Sequence, residues 1–129
     1  MQIIEDFFFG KFQFNLATEM KIALRTLTFL EHDQAIQVPI TISAPFQAQT
    51  DWYCEWSIGW PHGFRTARGY GVDSVQALRL TFEMIGAELY ASPYHANGGL
   101  YFKIPNSGYG FPVPANMRDM LIGEDKTFF

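Results

Sequence analysis

Cysteine is nearly absent from this chain: Cys54 is the only one in 129 residues. An internal disulfide is therefore excluded, and a reducing setting, the cytoplasm, is expected. Basic charge is scarce too. Nine Lys and Arg stand against 13 Asp and Glu, for a net charge of -4, which argues against nucleic acid or an anionic membrane as the main partner. No apolar run reaches the ~18 residues that a membrane-spanning helix needs. The N-terminal MQIIEDFFFGKF carries Glu5 and Asp6 where a secretion signal carries positive charge, so no export signal is expected. Repeats and low-complexity tracts are missing. Size then predicts one domain over residues 1–129, with an aromatic-rich arm at 1–20 and a loop-like tail at 105–129.

Aromatic residues are plentiful, at 17% of the chain with 13 Phe. Phe7, Phe8 and Phe9 need cover from water. Phe12, Phe14 and Leu16 alternate with polar neighbours, as in a half-buried strand.

The organising stretch is RGYGVDSVQALRLTFEMIGAELY, residues 68–90. Asp73 stands at an N-cap position and Gln76 three residues on completes a capping box. Val75, Leu78, Phe82, Ile85 and Leu89 recur at spacings of three and four, which predicts one buried helical face over about 73–90. Gly86 falls beside that face and predicts close backbone approach to a sheet. Ala77, Leu80, Met84 and Ala87 form a second apolar arc, with Thr81 among the residues between the two. That second arc needs cover from the chain itself, a second copy or a partner.

Before the helix, residues 22–30, 36–43, 52–60 and 64–70 read as strands. The cleanest alternation puts Trp52, Cys54, Trp56, Ile58 and Trp60 on one face. Pro39 lacks an N–H, which predicts an edge strand or a bulge. Residues 31–34, Pro61-His62-Gly63 and Asn97-Gly98-Gly99 read as turns. A last short strand is expected at 100–104, and a short helix near 117–121. The fold class is therefore α+β: an antiparallel meander of four to six strands packed on one long helix, with a short C-terminal strand and an irregular tail.

The residues DWYCEWSI at 51–58, GYGVDSVQAL at 69–78 and IGAELY at 85–90 carry a resemblance. Over about 21–100 the chain resembles a family of small, uncharacterised bacterial proteins. The resemblance implies a bacterial source and a shared fold, and it brings no activity or catalytic residue.

No catalytic constellation emerges, and no metal or cofactor site is expected. His32, His62 and His95 fall in separate turns, without the spacing of metal ligands, and read as solvated. Cys54 reads as inert packing between two tryptophans. The GYG turn beside Arg65 and Arg68 could hold an anion at the helix N-terminus, but Asp73 competes for the same N–H groups. The tail segment SGYGFPVP, 107–114, is expected to fold back over the sheet, with a peptide-like docking element as the alternative.

Three functions follow, in order of support. The first is a non-catalytic interaction protein, of the immunity or antitoxin kind, that binds a protein partner or itself through Leu80, Met84, Ala87, Phe7 and Phe9. The second is a small-ligand binder with a pocket between sheet and tail, drawing on Trp60, His62, Arg65, Arg68, Tyr70 and Tyr109. An enzyme comes last.

Overall fold

The computed structural model describes residues 20–129. Six strands and one long helix form the expected α+β fold. The strands are β1 (Lys21–Glu31), β2 (Gln34–Ser43), β3 (Phe46–Gln47), β4 (Trp52–Trp60), β5 (Gly63–Gly71) and β6 (Leu100–Tyr101). The helices are α1 (Ser74–Tyr90), α2 (Pro93–Asn97) and α3 (Glu124–Phe128), with a 3-10 turn at Ala115–Met120. All pairings are antiparallel. β5 runs along the whole of β4 on one side, so β2 and β3 share the other side. β1 and β6 extend the sheet beyond β2, and the sheet stays open.

Local chemistry sets these elements. His32 and Asp33 both take positive φ, 52° and 64°, between the paired Glu31 and Gln34. Two such residues make the tight hairpin turn whose twist matches the flanking strands. Pro39 sits in an interior strand, contrary to the expected edge or bulge. It is tolerated because the β2–β4 ladder begins one residue later, at Ile40 opposite Ile58. The expected strand at 100–104 shortens to β6, followed by a lone bridge between Phe102 and Ile104.

The helix cap forms with a shift. Asp73 accepts from the Gln76 N–H at 2.8 Å, while the Gln76 side chain accepts from Val72 N–H at 2.7 Å. One free donor of the helix start, the Gln76 N–H, is thereby satisfied, and the Gln76 side chain ties down the residue before the cap. No proline interrupts α1, and Pro93 opens the next helix behind its Ser92 cap.

α1 lies over β5 and β4 and runs antiparallel to β5. A side chain added at Gly71 would meet the Ala77 amide at 2.4 Å, and one at Gly69 would meet Thr81. Four helical residues rise ~6 Å and two strand residues ~6.6 Å. Every fourth helix residue therefore meets every second residue of β5. The buried line is Ala77, Thr81, Ile85 and Leu89. The expected face holds at Ile85 and Leu89, both fully buried, and is corrected toward its start: Val75 is 72% exposed, and Leu78 and Phe82 are half-buried against the core. Bare glycine backbone on β5 selects small helical residues there, and the bulky ones rotate to the flank.

The tail folds back and closes the core, as expected for 107–114. Tyr109, Phe111, Val113 and Leu121 pack with Leu27, Val38, Ile40, Trp56 and Leu89. Gly86 meets this tail and not the sheet: a Cβ there would lie 1.8 Å from the Pro112 carbonyl oxygen. The expected helix near 117–121 is the 3-10 turn, placed slightly earlier.

Candidate functional site

A cleft of about 410 Å³ opens where the β4–β5 hairpin meets the C-terminal end of α1. Register brings its walls together. Trp60 ends β4 opposite Gly63, which leaves His62 on the turn. Arg65, two residues into β5, faces Glu88 on the last turn of α1. Its Nε and Nη2 both donate to Glu88 Oε2, at 3.2 and 3.1 Å. The third wall is Tyr94 of α2, with Met117 of the 3-10 turn beyond it.

Tyr94 organises the aromatic side. Its ring stacks on Trp60 at 4.9 Å and 14°. Its hydroxyl lies 2.7 Å from His62 Nδ1, and the two rings are nearly parallel, at 6°. The result is a flat, polar-edged shelf. Opposite it, the Arg65–Glu88 pair is solvent-exposed. Exposed pairs of this kind contribute under about 1 kcal/mol, so a ligand can take over either charge.

The structure thus brings together three of the six expected ligand residues, Trp60, His62 and Arg65. Arg68 and Tyr70 lie elsewhere, around Tyr53. The Arg68 guanidinium sits 4.2 Å from the Tyr53 ring, and Tyr70 lies 5.7 Å from the same ring. Tyr109 is in the core at 1% exposure, away from the cleft. Tight turns pull its segment inward, because the backbone there is bound to Asp125. Of the expected partner residues, Leu80, Met84 and Ala87 are half-buried. Met84 packs on the core and Ala87 lines the cleft. Phe7 and Phe9 lie outside the described residues.

Reading by sequence alone missed a buried polar cluster centred on Asp125. Asp125 accepts from Tyr90 Oη at 2.5 Å, Tyr109 N at 2.8 Å and Gly110 N at 2.9 Å. Tyr109 Oη meets His95 Nδ1 at 2.5 Å. Burial, reinforced by the Asp125 carboxylate, pushes both phenols well above their ordinary range. They stay protonated and act as donors. His95 is therefore no solvated turn residue; it lies in α2, and burial holds its pKa below the ordinary value.

A linkage prediction follows. An imidazole depressed in the fold binds its proton more readily in the unfolded chain. Stability is complete above the unfolded value, about 6.5, and falls as pH drops from there toward the folded pKa. Urea midpoints at pH 7.5 and 5.5 should show this loss, and His95→Gln should reduce it. An unchanged pH slope in that variant would rule out His95 as its source.

A family model for a domain of unknown function, DUF6968, matches residues 23–113. That is well over half of the chain. The chain belongs to the DUF6968 family. The uncharacterised family expected from the resemblance is met at this level. No curated protein and no solved structure matches. The DUF6968 span includes every cleft residue named above except Met117, and it stops short of Asp125. Among the described residues no helix is long and apolar enough to cross a membrane.

Proposed function

We propose that this domain is a non-catalytic binding module that takes a small planar ligand with an anionic group in the cleft. The observation that carries the reading is the convergence of Trp60, His62, Arg65, Glu88 and Tyr94, from two strands, a turn and two helices, on one concavity. Its volume lies in the usual range for small-molecule sites, roughly 300–1,000 Å³. The shelf of Tyr94 and His62 supports stacking, Arg65 supports the anion, and Glu88 supports a donor on the ligand. Most of these groups already have partners, so they are held in place before any ligand arrives, which lowers the ordering cost of binding. We place this activity in a bacterial cytoplasm, on the single cysteine, the acidic charge and the family resemblance.

Thermal-shift screening against small aromatic acids tests the reading. A hit should raise the melting temperature in a concentration-dependent way. Arg65→Gln should weaken it about tenfold, equivalent to about 1.4 kcal/mol, with circular dichroism unchanged. Hits that bind Arg65→Gln and Tyr94→Ala as tightly as the parent protein would remove the cleft from consideration. Capture of a protein partner that Leu80→Asp abolishes and Arg65→Gln spares would favour the interaction reading instead.

A further inference from the structure

A second concavity lies across the core from the cleft, between the start of β1 and the tail. It encloses about 360 Å³ and is lined by Ala23, Ile40, Ile42, Phe82, Phe111 and Phe129. One charged side chain lines it, Arg25. Arg25 is half-buried, and its guanidinium lies against two rings, 4.6 Å from Phe102 and 5.3 Å from Phe111. Nη1 donates to the carbonyls of Tyr109 and Gly110, at 3.1 and 3.2 Å. Nε and Nη2 meet no acceptor among the described residues, and the ion pairs there belong to Arg65 and Arg79. The nearby carboxylate of Asp125 is committed to Tyr90 Oη and to the N–H groups of Tyr109 and Gly110.

A half-buried guanidinium against two aromatic rings has shed part of its water, so a charge there gains from an anionic partner. It also has a fixed orientation, because two backbone carbonyls and two ring faces hold it. The Nε and Nη2 edge, without an acceptor among the described residues, presents two parallel N–H donors, the geometry that matches a carboxylate. The rest of the groove is mostly apolar. We propose that this groove binds a small amphipathic carboxylate, with its apolar body along Ile40, Ile42 and Phe82 and its head group on Arg25. The site is separate from the cleft, so the two readings stand or fall independently.

The test is calorimetric titration of the full chain with octanoate, with octanol and octylamine as head-group controls. Octanoate should bind at least about tenfold tighter than either control. Backbone amide shifts should centre on Ala23, Phe82 and Phe111. Arg25→Met should bring octanoate and octanol to similar affinity. Should Arg25→Met fail to fold through loss of its tail contacts, Ala23→Trp offers the second route. It fills the groove and leaves the guanidinium in place, and it should abolish octanoate binding. Equal affinity for octanoate and octanol in the parent protein, or shifts centred on the cleft, would overturn the proposal. So would nuclear Overhauser contacts from residues 1–19 to Ala23 and Phe82 that octanoate does not displace, since the chain itself would then fill the groove.

Discussion

Asp125→Ala is expected to cost about 3–5 kcal/mol of folding stability, a large share of the roughly 5–15 kcal/mol that a domain of this size has. The reason lies in what the truncation leaves behind. The carboxylate is 2% exposed and accepts from two backbone N–H groups and one phenol. Each hydrogen bond to a charged acceptor contributes about 1.5–3 kcal/mol net. The three share one acceptor, so the losses do not simply add. With alanine present, the Tyr109 amide and the Tyr90 hydroxyl stay buried without the carboxylate that receives them, while the exposed Gly110 amide turns to water. The Tyr90 oxygen also accepts from Ile122 N–H at 3.3 Å, so its displacement disturbs the last turn as well. Asp125→Asn should fall between parent and alanine. One amide oxygen can still accept, but the NH2 group faces donors. Urea denaturation reads the effect as a lower midpoint. A smaller m-value would add that the tail separates before the sheet does. A midpoint for Asp125→Ala corresponding to less than about 1 kcal/mol of loss would show the cluster to be incidental.

Much of the fold was legible because it depends on short-range patterns. Alternation at 52–60 and the tight turn at 31–34 were each enough to place strands. The capping residues Asp73 and Gln76 placed the start of α1 to within a residue. The face of α1 follows the periodicity at Ile85 and Leu89 and departs from it at exposed Val75, for a physical reason. Periodicity counts bulky side chains, yet a helix resting on glycine backbone buries its smallest ones. Ala77 and Thr81 carry little hydrophobic signal alone; their meaning comes from Gly71 and Gly69, which pair with them only in three dimensions. In sequence the two glycines read as a turn, whereas both pair within the β4–β5 ladder. The cleft was half legible: Trp60, His62 and Arg65 are near neighbours in sequence, while Tyr94 and Glu88 arrive by way of helix length and register. Asp125 left no local signal. An acidic residue near the end of a chain ordinarily faces water, and only the returning tail makes it the acceptor for Tyr90 and Tyr109. Arg25 was hidden for the same reason, since its ring and carbonyl partners all lie some eighty residues away.

Gly86→Ala tests where that tail rests, because two effects of opposite sign compete there. In an exposed helix interior this change stabilises by about 1 kcal/mol. Here the added methyl would sit 1.8 Å from the Pro112 carbonyl oxygen and 3.2 Å from a Val113 methyl. The first contact is with backbone, which cannot swing aside as a side-chain end would. The tail segment must move off α1, and with it Phe111 and Val113, both buried in the core. Overpacking of this kind costs about 1–3 kcal/mol, and opening the Phe82–Phe111 contact, now at 6.3 Å between centroids, adds to it. The clash therefore wins, and a net loss of about 2 kcal/mol is expected, read as a lower urea midpoint. Pairing Gly86→Ala with Asp125→Ala sharpens the point. Both changes release the same tail, one by pushing and one by letting go, so their combined cost should fall short of the sum. Full additivity, or a Gly86→Ala protein more stable than the parent, would mean that the tail does not rest on α1 at Pro112.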